Sequence, residues 1–161
     1  MFNKETILQY LTDKKIDFVK YEHPPIFSVE DGDKSNVPNR DKVIRNLFLR
    51  DSKKKHYYLV SLFVHKKIDL KELKDKLGST RLSFVKPEVM EEMLGVHPGS
   101  VTPLAILNND AQNVLMVFDK QLQHQTIGFH PLENTATVFM KFEDLYELLL
   151  PHGNEIRIVD L

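Results

Sequence analysis

The loop at residues 97–103, His-Pro-Gly-Ser-Val-Thr-Pro, carries the residue types best suited to chemistry in this sequence. Glycine lets a ligand approach the backbone closely, and the flanking prolines restrict the shape of the loop. Successive backbone N–H groups there could hold a carbonyl oxygen as it becomes an oxyanion, often the largest catalytic effect in acyl transfer. Because Pro-Gly pairs are common in ordinary turns, these residues alone favour a structural turn.

Two further stretches carry polar groups that could bind a substrate. His130 begins a polar turn at residues 130–135, where an imidazole could orient a substrate or position a water molecule. Arg45 lies on a predicted strand ahead of a basic turn, where a guanidinium could hold a phosphate through paired hydrogen bonds. The simpler interpretations are a hydrogen-bonded turn histidine and a strand residue that faces solvent.

The common catalytic signatures are missing from the sequence, which contains no GxSxG, P-loop or GxGxxG motif. The absence of cysteine excludes disulfides, thiolate zinc sites and a cysteine nucleophile. The seven histidines form no HExxH motif and no other tight ligand spacing. We therefore expect no metal, no cofactor and a water nucleophile in any hydrolysis. A Ser-His-Asp triad depends on spatial proximity, so it stays open as a minor alternative.

The basic residues are unevenly distributed in a chain of 161 residues whose formal net charge is only −1. From Arg40 to Lys67 there are nine lysines and arginines against two aspartates. Positive charge gathered in one region is typical of proteins with a phosphate-bearing partner. A solvated turn between two strands explains it equally simply, and charge alone favours that explanation.

The order of predicted helices and strands indicates one mixed α/β domain over residues 1–161. We expect a central mixed, mostly antiparallel sheet flanked by helices, which positions these residues. Residues 28–41 are polar and rich in turn formers, and they are predicted to form the one long loop. Strands 43–49, 56–64, 114–118 and 135–140 are expected in one sheet, with the 97–103 loop beside Arg45 and His130. The predicted helices are 4–15, 70–77, 87–94 and 142–150, and the other predicted strands are 18–21, 81–84, 125–129 and 155–159.

Taken together, the three stretches resemble the YbaK/ProX-type aminoacyl-tRNA deacylases, most closely the branch called ProX, PrdX or ProXp-ala. Asn46–Asp51 with Lys53–Val60 looks like the hairpin of this family, and Gly99–Pro103 looks like its Gly-x-x-x-Pro loop. His130–Thr137 resembles its His-Pro-x-x-Asn-Thr turn. Glu22–Pro25 and the last helix also match, so the resemblance runs in order through nearly the whole chain.

This resemblance implies a free-standing relative of the editing domain of bacterial prolyl-tRNA synthetase, which hydrolyses mischarged tRNA, here most simply alanyl-tRNA(Pro). A pocket built for proline rejects a smaller amino acid weakly, since one methylene is worth about 1–3 kcal/mol, and a second site that admits alanine completes a double sieve. The alternatives are a deacylase for cysteinyl- or seryl-tRNA and a non-catalytic tRNA-binding relative. Arg45 stands where the family usually carries lysine, which keeps the charge but adds a larger, forked group.

The resemblance also assigns roles to individual residues. The implied catalytic residues are Arg45, Gly99, Ser100, Thr102 and His130. The implied substrate-binding residues are His23, Pro25, Asn46, Val101 and Asn134, and the implied tRNA-binding residues are Arg50, Lys53, Lys54 and Lys55. The expected partner is the acceptor end of aminoacyl-tRNA, without DNA, membrane, metal or cofactor. A transient association with prolyl-tRNA synthetase is a further candidate interaction. No apolar run or basic leader is evident, so a cytoplasmic location is expected.

Overall fold

The computed structural model describes residues 1–161 as five α-helices, eight strands and four short 3-10 segments. The helices are α1 (Lys4–Asp13), α2 (Val29–Asp33), α3 (Leu70–Leu77), α4 (Pro87–Leu94) and α5 (Phe142–Leu149). The strands are β1 (Val19–Glu22), β2 (Ile44–Arg50), β3 (Tyr57–Phe63), β4 (Ser83–Phe84), β5 (Val114–Asp119), β6 (Thr126–Phe129), β7 (Ala136–Lys141) and β8 (Ile156–Val159). The 3-10 segments are Arg40–Lys42, Pro103–Asn108, Lys120–Leu122 and Leu150–His152.

The strands form two sheets rather than one. The larger sheet has the order β4-β2-β3-β5-β8, in which β2 is antiparallel to both β4 and β3, while β5 is parallel to both β3 and β8. The smaller sheet is antiparallel, with the order β1-β7-β6. A single parallel bridge between Val43 and Gly128 connects them. The predicted mixed α/β class is confirmed.

One part of the predicted topology is wrong, because β7 does not share a sheet with the β2–β3 hairpin. β1 and β6 occupy both edges of β7, as in the pairs Val19–Phe139 and Gly128–Phe139. No edge of β7 is left for β2. Alternating apolar residues predict that a strand has a buried face, but they carry no information about which strands lie beside it.

The β2–β3 hairpin is buried on both faces, which fixes the direction of each side chain. Phe48 and Leu59 point into the main core, a cluster of 26 buried residues that includes α4 and α5 side chains. Leu49 and Val60 point to the opposite face, where they pack against Leu73 of α3 in a smaller cluster. Successive strand residues therefore serve different layers, as the pleat requires.

The ends of α3 and α4 agree with the sequence prediction. Asp69 accepts a hydrogen bond from the Lys71 N–H at the start of α3, and Gly78 ends that helix with φ +65°. Pro87 begins α4, and Gly95 ends it with φ +67°. The residues at the helix ends predict α3 over 70–77 and α4 over 87–94 from local sequence alone, and both bounds match the structure.

The predicted loop at residues 28–41 contains a short helix, α2, that the sequence did not indicate. Ser28 accepts a hydrogen bond from the Asp31 N–H and caps it. Arg40 holds it from outside, with Nε donating to Asp33 Oδ1 at 3.0 Å and Nη2 donating to the Val29 carbonyl at 3.1 Å. A five-residue helix is too short to show a helical hydrophobic period.

Among all helices, none is long and apolar enough to span a bilayer.

Candidate functional site

A cavity of about 280 Å³ opens where the start of β2 faces the loop before α2 and the loop at residues 97–103. Five residues assigned from the sequence line it together: Arg45, Asn46, Gly99, Val101 and His130. Apolar side chains form much of the remaining wall, namely Ile26, Phe27, Val29, Val43, Ile44, Leu47 and Val64. The structure thus confirms that the 97–103 loop shares one cleft with Arg45 and His130.

Arg45 is a half-buried cation without an acidic partner. Its Nη2 donates to the Lys66 carbonyl at 2.7 Å, and its Nε is buried without any hydrogen-bond partner. Burial lowers the pKa of the guanidinium, and no carboxylate counteracts this effect. An arginine nevertheless stays protonated, so its charge is only partly compensated within the protein. The arrangement suits a ligand that brings negative charge into the cleft.

Asn46 ties β2 to the neighbouring loop through its side-chain amide. Its Nδ2 donates to the Val101 carbonyl at 3.1 Å, and its Oδ1 accepts a hydrogen bond from the Ser61 hydroxyl. The oxygen and one amide hydrogen are therefore engaged within the protein. Asn46 fixes the distance between Arg45 and the 97–103 loop, and one Nδ2 hydrogen is left for a substrate.

The 97–103 loop contributes Gly99 and Val101 to the cavity wall. Gly99 has φ +87°, in the left-handed region that favours glycine. The Ser100 N–H donates to the His97 carbonyl at 3.0 Å, whereas Gly99, Val101 and Thr102 donate to no backbone acceptor. The Thr102 hydroxyl is buried without a partner. Gly99 and Val101 lie on the cavity wall, so their two N–H groups are available for an oxyanion. Ser100, whose N–H is already used, and Thr102, which is fully buried, are both absent from that wall.

His130 is held as a neutral imidazole. Its Nδ1 donates to the Ala136 carbonyl at 2.8 Å, which leaves Nε2 as an acceptor without a partner in the protein. Burial lowers its pKa below the ordinary value of 6.5, the Ala136 hydrogen bond opposes this effect, and the charges of His23 and Arg40 reinforce it. His130 can therefore accept a hydrogen bond from a substrate or water near neutral pH.

The depressed pKa of His130 predicts a pH-dependent stability. The contribution of neutral His130 to the free energy of unfolding is fully present above about pH 6.5. It is lost as the pH falls through the folded-state pKa, because the unfolded chain binds the proton more readily. His130→Asn keeps an amide that can donate to Ala136 but removes the titration. The fall in melting temperature between about pH 7.5 and about pH 5.5 should be smaller in this variant. Equal falls in both proteins would contradict the assignment.

Three substrate-binding residues implied by the resemblance lie outside the cavity wall. His23 and Pro25 line a neighbouring cavity of about 410 Å³, and the His23 ring lies 5.9 Å from that of His130. Asn134 donates from Nδ2 to the Ile26 carbonyl at 3.0 Å, so it holds the segment that forms one wall of the cleft. These three residues lie next to the cavity wall and do not line the cavity itself.

The basic run from Arg40 to Lys67 does not form one surface. Arg40 pairs with Asp33, and Lys66 pairs with Asp119. The predicted tRNA-binding residues Arg50, Lys53, Lys54 and Lys55 lie at or beyond the other end of β2. Arg45 and Arg50 are five residue steps apart along the strand, which corresponds to about 17 Å. Lys53 and Lys55 line a separate polar cavity of about 630 Å³ there.

Several residues of the site were not identified from the sequence. Phe27, which is 71% exposed, lies beside Gly99, and Arg40 contributes its side chain to the same cavity wall. Lys66 supplies the carbonyl that holds Arg45. The run of basic residues was the only signal for Arg40 and Lys66, and nothing in the sequence pointed to Phe27. No group of three or more histidine, aspartate or glutamate side chains in the chain could hold a metal ion.

Comparison with known proteins places this chain in a family. The sequence profile described as the aminoacyl-tRNA editing domain matches residues 23–148. Prolyl-tRNA editing protein ProX of Acetoanaerobium sticklandii is 37% identical over 159 residues, covering 98% of this chain and 97% of that protein. Prolyl-tRNA synthetase associated domain-containing protein 1 of Xenopus laevis is 34% identical over 165 residues, covering 97% and 95%.

Solved structures share the fold over the whole chain. The hypothetical protein APE2540 has a TM-score of 0.71 at 16% identity, covering 98% of this chain and 99% of its own. A candidate trans-editing enzyme for prolyl-tRNA synthetase has a TM-score of 0.71 at 15% identity, covering 100% and 99%. At such identities these structures show the fold alone, and the family rests on the sequence matches. The chain belongs to the aminoacyl-tRNA editing domain family, in the YbaK/ProX group indicated by its sequence, and it is an aminoacyl-tRNA deacylase.

Proposed function

We propose that this deacylase acts in trans on alanyl-tRNA(Pro), cleaving the ester between alanine and the 3′-terminal ribose. The observation that carries the proposal is the half-buried, unpaired guanidinium of Arg45, which shares a small cleft with the free N–H groups of the 97–103 loop. A cation and an array of N–H donors on one cavity wall suit a ligand that has a phosphate and a carbonyl close together. The 3′ end of an aminoacyl-tRNA has both.

In the proposed reaction, water attacks the ester carbonyl carbon, and the bond from that carbon to the ribose oxygen breaks. The N–H groups of Gly99 and Val101 hold the carbonyl oxygen while it carries negative charge. Arg45 holds the terminal phosphate or the carbonyl, and the ribose oxygen leaves with the proton given up by water. The 2′-hydroxyl of the substrate assists this proton transfer, and the neutral His130 shapes the pocket.

The size and polarity of the cleft support alanine as the amino acid removed. Its volume is about 280 Å³, its walls are largely apolar, and it must also admit part of the terminal nucleotide. The name of the A. sticklandii relative, a prolyl-tRNA editing protein, points to tRNA(Pro) as the tRNA. A small editing pocket beside a synthetic pocket built for proline would give the two-step discrimination that one site cannot provide.

A panel of mischarged tRNAs tests the proposal directly. Alanyl-, cysteinyl-, seryl- and prolyl-tRNA(Pro) would each be incubated with the protein, and the remaining aminoacyl-tRNA would be measured over time. We expect alanyl-tRNA(Pro) to be hydrolysed fastest and prolyl-tRNA(Pro) to stay intact. Faster hydrolysis of the cysteinyl or seryl ester would replace alanine with that amino acid in the proposal. Hydrolysis of prolyl-tRNA(Pro) at a similar rate would contradict the size argument.

We also propose that Arg50 and the Lys53–Lys55 turn contact phosphates of the acceptor stem while the 3′ end occupies the cleft. The triple change of Lys53, Lys54 and Lys55 to glutamate should weaken tRNA binding and lower its dependence on salt, by up to about three in the logarithmic slope. The ranking of amino acids should not change. Binding measured by filter retention across a salt series checks this prediction.

A matched triple variant controls for the change in net charge. Lys14, Lys15 and Lys71 are exposed and lie outside the β2–β3 turn, so their replacement by glutamate changes the charge equally. If both triple variants lose the same affinity, the effect comes from overall charge. If the turn variant keeps the affinity of wild type, the turn is only a solvated connection between strands.

Two further proposals concern the location of the protein and its partner. A cytoplasmic location fits a substrate made during translation. A transient association with prolyl-tRNA synthetase is suggested by the name of the X. laevis relative. Co-purification of the synthetase with the tagged protein, in the presence and absence of tRNA, would separate a direct contact from one bridged by tRNA.

A further inference from the structure

The guanidinium of Arg45 is held by one protein contact, and that contact is itself fixed by an ion pair. Nη2 of Arg45 donates to the main-chain carbonyl of Lys66 at 2.7 Å. The side chain of the same lysine donates from Nζ to Asp119 Oδ2 at 2.8 Å and to Gln121 Oε1 at 3.2 Å. The turn that carries the carbonyl is thus attached to the end of β5.

Asp119 is placed so that it holds this turn rigidly. Its carboxylate is fully buried, while the Lys66 side chain is 21% exposed. Its Oδ1 also accepts hydrogen bonds from the N–H groups of Gln121 at 3.5 Å and Leu161 at 3.3 Å. A buried carboxylate with several fixed donors moves little, because any displacement would leave charge uncompensated.

We infer that Lys66 and Asp119 are positioning residues for deacylation, which aim the Arg45 guanidinium at the substrate through the Lys66 carbonyl. This inference rests on the proposed role of Arg45. The carbonyl takes one of the five N–H donors and fixes the plane of the guanidinium. Nε, which is buried, and Nη1 then have no hydrogen-bond partner in the protein, so this one contact sets the orientation of the guanidinium. A lysine at position 45 ends one bond earlier and presents no plane to be fixed.

The test compares the loss of activity in two backgrounds. Lys66→Met and Asp119→Asn would each be made with Arg45 present and with Arg45→Lys, and kcat and KM would be measured on alanyl-tRNA(Pro). With Arg45, each change should lower kcat/KM by about tenfold, because a misdirected catalytic group costs rate steeply. With Arg45→Lys, the same change should cost less than about twofold, the scatter of independent sites.

Further variants separate positioning from general loosening of the fold. Lys66→Arg keeps the ion pair with Asp119, so it should restore most of the activity lost in Lys66→Met. Lys76 donates from Nζ to the Asp160 carbonyl, so Lys76→Met loosens the same C-terminal segment without touching Lys66 or Arg45. This control should keep wild-type activity. Circular dichroism at the assay temperature would establish that every variant is folded.

The outcomes distinguish failure of this inference from failure of the proposed function. Equal losses in the Arg45 and Arg45→Lys backgrounds would show that Lys66 and Asp119 support only the fold, and the positioning role would be overturned. Unchanged kcat/KM for folded Lys66→Met and Asp119→Asn would overturn it as well. If Arg45→Ala deacylates alanyl-tRNA(Pro) as fast as wild type, the proposed role of Arg45 is overturned, and the positioning role that rests on it is overturned as well.

Discussion

Arg45→Ala is expected to lower deacylation of alanyl-tRNA(Pro) severely while leaving the protein nearly as stable as wild type. The change removes the only unpaired cation of the cleft and the charge that faces the substrate. Loss of one preorganised electrostatic group typically lowers kcat by about 10²–10³-fold. The cost to folding should stay near 0.5 kcal/mol, roughly the size of a surface change, because Arg45 makes one hydrogen bond and has no ion-pair partner. Single-turnover hydrolysis and thermal unfolding measure the two quantities.

Arg45→Lys separates the need for charge from the need for a guanidinium. It introduces the lysine that the sequence resemblance implies at this position and leaves a cation in the cleft, so activity should be kept or raised. Arg81→Ala is a suitable control, because Arg81 is exposed and lies outside the cavity wall. This control should match wild type in both rate and stability.

One result would overturn the catalytic role of this chain. Wild type could fail to hydrolyse alanyl-, cysteinyl- and seryl-tRNA(Pro) while Arg45→Lys gains activity. The natural protein would then bind tRNA without hydrolysing it, and arginine would be the reason. Retention of activity by Arg45→Ala would instead remove Arg45 from the reaction and leave the loop N–H groups as the main source of rate.

Local signals in the sequence predicted four of the five α-helices, the strands and one wall of the cleft. The caps of α3 at Asp69 and Gly78 and the runs of aromatic, leucine and β-branched residues in β2 and β3 depend on neighbours in the chain, so they could be predicted directly. The pairing of β7 with β1 instead of the β2–β3 hairpin depends on long-range contacts. The pattern of β7 is equally compatible with either sheet, so the division into two sheets could not be predicted.

In the candidate site, too, local signals identified individual residues, whereas the long-range contacts between them could not be predicted. Arg45, Gly99 and His130 were found because each lies in a recognisable short stretch. The hydrogen bond from Asn46 to the Val101 carbonyl joins residues 55 apart in sequence, and the Lys66–Asp119 ion pair joins residues 53 apart. These contacts set the geometry of the cleft. Asn46 and Val101 lie in recognisable stretches, but nothing local predicts their contact, and Lys66 and Asp119 have no distinctive local pattern. The Ser100 N–H looked available from sequence, but the turn to His97 uses it.

Gly99→Val should reduce deacylation more than either change at Arg45, because it alters the loop that carries both free N–H groups of the cavity wall. Gly99 has φ +87°, a conformation that a β-branched side chain adopts only under strain. The added Cβ itself would meet only ordinary contacts, with Asn134 and Phe27 atoms at 3.8 Å. The effect therefore arises from the backbone, which would relax away from φ +87° and turn the N–H groups from the carbonyl oxygen. The expected loss of folding stability is about 1–3 kcal/mol.

A second glycine provides a matched control for this strain. Gly78 has φ +65° at the end of α3, and a Cβ there would have no atom within 4 Å. Gly78→Val should therefore lower the melting temperature to a similar extent and keep kcat at saturating tRNA. A fall in kcat confined to Gly99→Val would locate the effect in the loop. Equal falls in both variants would mean that lost stability explains the result, and the oxyanion role of the 97–103 loop would have to be abandoned.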